Sequence, residues 1–168
     1  MPRVFIGLGL GGYFLVVAAA YVGLLKPEDR PDLHVLLAVF ALLVCVLVQA
    51  AFFTYLSVAG KLIAQALHLG GLELSPLAIL RRLKRAGTRC VFAVVISVVL
   101  VTATGGATWR EGGESPWHLI SAAFLFVVSG ASLFREYVLT VEASGLLRQT
   151  LDAYNARKKL DRPRERKD

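Results

Sequence analysis

The stretch VLLAVFALLVCVLVQAAFF, residues 35–53, decides the fold class of this protein. Apolar residues fill it almost without interruption, and polar and apolar positions do not alternate. A membrane β-strand would show such alternation over ~10 residues. A helix satisfies its backbone hydrogen bonds internally, and ~20 apolar residues carry it across a ~30 Å hydrocarbon core. The stretch therefore predicts a transmembrane helix.

Three further apolar segments of similar length occur in the chain. Its 168 residues are 56% hydrophobic and only 18% charged, and the mean hydropathy of +0.62 exceeds that of ordinary soluble domains. We therefore predict an all-α integral membrane protein with four transmembrane helices, arranged as two helical hairpins. The predicted spans are residues 4–25, 33–55, 90–108 and 117–135.

The distribution of charge predicts the orientation. Residues 60–89 contain six Lys or Arg and one acid, and the chain from residue 135 onward contains nine basic and six acidic residues. The connections 26–32 and 105–116 together hold three basic and five acidic residues. Because basic loops remain on the cytoplasmic side, both termini should be cytoplasmic. We expect a multi-pass protein of a bacterial inner (plasma) membrane.

Helical patterns continue beyond the second and fourth spans, over residues 56–69 and 136–160. A helix covering 33–68 would reach ~54 Å, far more than the ~30 Å core requires. Past the membrane, the second helix keeps a narrow polar stripe on a mostly apolar surface, and such a helix should not stand alone in water. We expect cytoplasmic extensions that pack against each other, the segment 76–86 or another subunit. The polar stripe consists of Ser57, Lys61, Gln65 and His68.

Residues 76–86 predict a short amphipathic helix between the second and third spans. Ser75 and Pro76 suit its first positions, and its apolar side should lie on the inner membrane surface. Its basic side should contact anionic lipid head groups. Nucleic acid is not an expected partner, because the basic cluster has no interleaved aromatic residues for base stacking. The four basic residues are Arg81, Arg82, Lys84 and Arg85. Residues 161–168 are charged and predict a disordered tail.

Two sets of residues are candidates for packing and assembly. Gly7 and Gly11 form a G-x-x-x-G pattern that permits close helix approach, and Gln49 is a polar residue inside a span that needs a partner. The apolar sides of the extensions form a candidate assembly surface, which consists of Leu62, Ile63, Ala66, Leu67, Leu147 and Leu151.

Two histidines are placed at the outer face by the predicted topology. His34 begins the second span and His118 begins the fourth. Imidazoles at one depth can bind a divalent metal or a haem. The spacing favours ordinary interfacial residues instead, because tightly spaced ligands such as i, i+4 are missing. The pair is therefore a candidate metal site that competes with a purely interfacial role.

The sequence favours a structural or accessory membrane protein that assembles with itself or with partner membrane proteins. It contains no catalytic motif, and no cofactor is predicted. No charged residue lies in the middle of a predicted span, which argues against ion-driven transport. Arg135 and Glu136 should mark the inner interface, although either could pair with a neighbouring helix. The alternatives are a metal- or haem-binding anchor using the outer histidines, or a small oligomeric channel or transporter lined by Gln49, Ser97, Thr102 and Ser129.

Overall fold

The structure, a computed structural model, describes residues 2–25, 31–111 and 115–165. The described residues are all-helical apart from short connections, contain no strand, and form four helices long and apolar enough to cross a membrane. These helices are α1 (Pro2–Leu25), α2 (Pro31–Gly70), α3 (Ser75–Glu111) and α4 (Pro116–Glu165). Residues 26–30 of the predicted acidic connection 26–32, residues 112–114 of the connection 105–116, and the end of the predicted tail at 166–168 lie outside these ranges.

The predicted separate helix at 76–86 is wrong, because α3 is continuous from Ser75 to Glu111. In the structure Gly87 is a contact residue, since a Cβ atom there would lie 2.6 Å from Leu56 and 3.0 Å from Phe52. Its missing side chain lets α3 approach α2 closely while the helix runs on.

The carboxyl end of α4 also differs from the prediction. The expected disordered tail begins at residue 161, but the helix continues to Glu165. Residues 157–160 are Arg, Lys, Lys and Leu, which have high helix propensity, and the helix then continues through Pro163, a residue that disfavours a helix interior.

The turn between α2 and α3 has the geometry that its glycines suggest. Gly71 has a φ of 53°, a left-handed conformation that glycine adopts readily. The Leu72 N–H donates to the Leu67 carbonyl over 3.0 Å, and the Gly71 N–H donates to the His68 carbonyl over 3.3 Å. This pattern is a Schellman motif, which satisfies carbonyl groups left free at the helix end.

The helices α2 and α4 form the centre of the bundle. Each contacts the other three helices, whereas α1 and α3 flank them and their backbones do not approach one another closely within the described ranges. One core cluster joins α2, α3 and α4 through Phe52, Leu83 and Leu139, and Phe5 of α1 packs against it. The ring centroids of Phe5 and Phe52 are 5.5 Å apart, so α1 begins at the level of Phe52.

Beyond Phe52 the other three helices continue together without α1. We call this part the three-helix segment and define it as residues 56–70, 75–89 and 136–160. Its core contains Ile63, Leu67 and Leu80, which are buried against partly buried leucines of α3 and α4. The four residues of the polar stripe remain outside this core. The apolar side of the α2 extension is therefore buried within the chain, against both the start of α3 and the end of α4.

Candidate functional sites

A buried carboxyl group lies between the two central helices. Glu136 of α4 is 0% exposed, and Gln49 of α2 is 6% exposed. The Gln49 Nε2 group donates to Glu136 Oε2 over a long 3.4 Å. The other two oxygens, Gln49 Oε1 and Glu136 Oε1, receive no hydrogen bond from the described part of the chain. Buried acceptors without donors are rare and point to a function or to a missing hydrogen.

A small cavity lies beside this pair. It has a volume of about 20 Å³, enough for roughly one water molecule, and both Gln49 and Glu136 line it. Gly9 and Gly12 of α1 contribute the space, because their missing side chains bring α1 close to α4 and α2. The remaining lining residues are Tyr13, Cys45, Val48, Val94, Ser129 and Leu133.

The burial of Glu136 corrects the expectation from sequence. Arg135 and Glu136 are adjacent, and both were expected to mark the inner interface. Arg135 is exposed, whereas Glu136 is turned inward and hydrogen bonded to α2. Hydropathy could not distinguish the two, since adjacent helical residues point about 100° apart and only packing decides which one enters the core.

The structure brings the two histidines together. The ring centroids of His34 and His118 are 6.4 Å apart, and their planes cross at 79°. His34 Nδ1–H donates to the Ala19 carbonyl over 2.9 Å, which leaves Nε2 as the nitrogen with a lone pair. His118 Nδ1 lies 3.5 Å from the hydroxyl oxygen of Thr104. For His34, this donation from Nδ1–H to a carbonyl is the one that metal-binding histidines usually make.

Each histidine ring rests on a glycine of the adjacent helix. A Cβ atom on Gly23 of α1 would lie 2.6 Å from His34 Cε1, and one on Gly105 of α3 would lie 3.0 Å from His118 Cε1. The two halves of the chain therefore seat their histidines in the same way. Within the described residues, no group of three or more His, Cys, Asp or Glu side chains could hold a metal ion, so the pair supplies at most two protein ligands.

Some residues of the candidate assembly surface are buried within the chain and others are exposed. Ile63, Ala66 and Leu67 are buried in the three-helix segment, so they cannot contact another protein. Leu147 is partly buried and packs against the same core. Leu62 and Leu151 remain exposed at 42% and 37%. Most of the apolar surface that suggested an assembly contact is therefore covered by the chain itself.

The glycines of α1 face in two directions. Gly9 and Gly12 are buried, and a Cβ atom there would meet Leu133 and Val44 respectively. Gly7 and Gly11, the predicted packing pair, are exposed, and no described atom of another residue would lie within 4 Å of a Cβ placed on either. The G-x-x-x-G face is thus open in the single chain.

The basic cluster lies on the exposed side of α3. Arg81, Arg82 and Arg85 are exposed, while Lys84 is partly buried because its side chain crosses Gly60 of α2. Three of the four predicted lipid-contacting residues therefore have free access to solvent or to lipid head groups.

The four proposed pore residues do not all lie on one common surface. Gln49 and Ser97 are buried inside the bundle, whereas Thr102 is exposed and Ser129 is partly buried. The hydroxyl groups of Ser97, Thr102 and Ser129 donate to carbonyls four residues earlier in their own helices. A pore at a contact between subunits could not be lined by Gln49 or Ser97.

No protein-family model, curated protein or solved structure matches this chain. The structure itself defines the class: within the described ranges the protein is a four-helix bundle whose helices are long and apolar enough to cross a membrane. The features to be explained by a function are the open glycine face of α1, the histidine pair and the buried glutamate.

Proposed function

We propose that this protein is a structural or accessory subunit of a bacterial inner membrane that assembles with itself. The four helices cross the membrane as two hairpins, both termini are cytoplasmic, and the three-helix segment projects into the cytoplasm. The uneven distribution of basic residues supports this orientation. The lengths of α2 and α4, 40 and 50 residues, support the projection because they correspond to about 60 and 75 Å.

The observation that carries the proposal is the open face of α1. A glycine inside a helix is less favourable than alanine by roughly 0.5–1 kcal/mol, and close packing usually offsets this cost. Gly9 and Gly12 have such packing within the chain, whereas Gly7 and Gly11 do not. Their spacing of four residues suits the contact of two α1 helices from two copies. Gly106 and Gly145 are also open, but neither has a glycine three or four residues away.

The oligomeric state of the purified protein in mild detergent tests this proposal. Replacing both Gly7 and Gly11 with Leu should convert the oligomer to a monomer, because the new side chains separate the helix backbones. The fold should remain, since both positions have open space. Gly106→Leu is the matched control, and it should leave the oligomer intact. A wild-type monomer, or an oligomer that survives the double substitution, would contradict the proposal.

A second candidate function is a metal-binding membrane anchor, and the histidine pair favours it. Two ligand bonds of ~2.0–2.1 Å, with the ring radii added, reach the 6.4 Å between the ring centroids when the two nitrogens lie on opposite sides of the ion. His34 presents Nε2 with a lone pair, as a ligand must. A divalent ion such as Zn²⁺ or Cu²⁺ suits imidazole ligands, and water would complete its coordination.

Metal analysis and a visible spectrum of the purified protein test this second function. We expect one Zn²⁺ or Cu²⁺ per chain, and its loss in a His34→Ala, His118→Ala double variant. His68→Ala is the control, since His68 is exposed in the three-helix segment. A haem spectrum would replace the metal-ion proposal with the haem alternative. Equal metal content in wild type and double variant would exclude the pair as ligands.

A further inference from the structure

The pair formed by Glu136 and Gln49 lacks one hydrogen-bond donor. Together the two side chains have four polar atoms, and the single donor group, Gln49 Nε2, reaches only Glu136 Oε2. Gln49 Oε1 and Glu136 Oε1 are both acceptors without a donor in the described chain. Leaving a buried acceptor unsatisfied is unfavourable, and more so when the group is charged. Two such atoms in one pair therefore require an explanation.

A charged carboxylate is not supported by the surrounding groups. Tyr13 of α1 and Cys45 of α2 line the cavity together with Glu136, and Cys90 of α3 is close enough to interact with Glu136 electrostatically. None of these side chains is a cation that could pair with a carboxylate. Arg135, on the same helix, is exposed and forms no ion pair with Glu136 among the described residues. A buried carboxylate without a cation is very unfavourable, so such groups take up a proton instead.

We propose that Glu136 is a proton-binding site inside the bundle, and that the bound proton completes its pairing with Gln49. A hydrogen on the carboxyl group makes one of its oxygens a donor, and Gln49 Oε1 is the unsatisfied acceptor of the same pair. One proton thus satisfies both orphaned oxygens and removes the charge. Loss of that proton would place carboxylate and amide oxygens together without a donor, which weakens the contact of α4 with α2.

The cavity provides a route for the proton. Its volume of about 20 Å³ holds roughly one water molecule next to the pair. Tyr13 and Ser129 carry hydroxyl groups at its wall, and such groups can pass a proton to or from water. The site also lies near the amino-terminal end of α1, because Gly9 and Gly12 line the same cavity. With the proposed orientation, this end is the cytoplasmic one.

Infrared spectroscopy of the full-length protein in detergent tests the proposal directly. At neutral pH the wild type should show the carbonyl stretch of a protonated carboxylic acid, and the band should shift in deuterated water. Glu136→Gln should remove this band, because glutamine mimics the protonated shape without the acid. Glu142→Gln, at an exposed position on the same helix, should leave it unchanged. If Glu136→Gln does not fold, Gln49→Asn replaces it and should shift the band by altering the hydrogen bond.

Two outcomes would overturn the proposal. The first is a wild-type protein with no protonated-acid band at neutral pH, or with a band that survives in Glu136→Gln. The second is a response of the carboxylate bands to added Na⁺ or K⁺ that disappears in the same variant, because a cation and not a proton would then occupy the site.

Discussion

The core of the three-helix segment gives the sharpest test of the fold, through two adjacent residues of α2. Ile63 is 0% exposed and packs with Leu67 and Leu80, whereas Leu62 is 42% exposed. The two side chains are isomers and belong to consecutive residues of the same helix, so they differ mainly in burial. We propose to replace each separately with Asp and to measure thermal unfolding of the purified protein in one detergent.

The expected effects differ strongly in size. Ile63→Asp loses the burial of an isoleucine, worth about 2–5 kcal/mol when it is truncated to alanine, and adds a carboxyl group to an apolar core. The total should exceed about 4 kcal/mol, which is exceptional for a single substitution and should unfold the segment. Leu62→Asp should change stability by only about 0.5 kcal/mol if the segment is in water, as surface substitutions usually do.

The same pair of variants also tests the proposed position of the membrane. If the end of α2 were embedded in lipid, Leu62→Asp would meet a penalty of about 2.5–3.5 kcal/mol, as for an acid inside a bilayer. Nanodiscs supply the bilayer for this comparison, and limited proteolysis provides a second measure of local folding. Equal stability of the two variants would refute the assignment of Ile63 to the core. A strongly destabilised Leu62→Asp in nanodiscs alone would refute the cytoplasmic projection.

Two further predictions concern contacts between helices in this part of the bundle. Gly87→Leu should lower stability by about 1–3 kcal/mol, because the new side chain would collide with Phe52. Gly145→Leu is the control, since Gly145 is open. Equal melting temperatures for the two leucine variants would contradict the close approach of α3 to α2. Arg157→Ala should lower stability by about 1 kcal/mol or less and expose the end of α4 to protease, since Arg157 Nη1 donates to the Gly71 carbonyl over 2.9 Å. An unchanged cleavage pattern would show that this hydrogen bond does not hold the helix end.

The sequence was sufficient to predict the helices but not every boundary. The four apolar segments are long enough that composition alone indicates helices able to span a membrane, and the structure confirms them. The separate helix at 76–86 was wrong, because the amphipathic pattern of these residues does not show that the helix continues past Gly87 into the third span. Gly87 is instead a contact with α2, and whether a glycine breaks a helix or allows close approach depends on a neighbour that the local sequence does not reveal.

The buried glutamate was missed for a related reason. Hydropathy averages over all faces of a helix within a window, so it says little about single residues that face inward. Glu136 follows Arg135 at the end of an apolar run, and in sequence the two look like one charged boundary. A signal did exist in Gln49, a polar residue within a span that needed a partner on another helix. Nothing in the sequence identified which of the available polar residues that partner would be.

The histidine pair links the two halves of the chain in a way that the sequence did not reveal. Gly23 and His34 face each other across the α1–α2 contact, and Gly105 and His118 do so across the α3–α4 contact. Because each ring is held against a glycine, it is positioned by helix packing as well as by its own rotamer. The ring separation therefore depends on the distance between α2 and α4, the same two helices that Gln49 and Glu136 join farther along the bundle. If loss of the proton from Glu136 moves α4 relative to α2, the two imidazoles will move as well. The affinity of the histidine pair for a metal ion should then fall when Glu136 loses its proton.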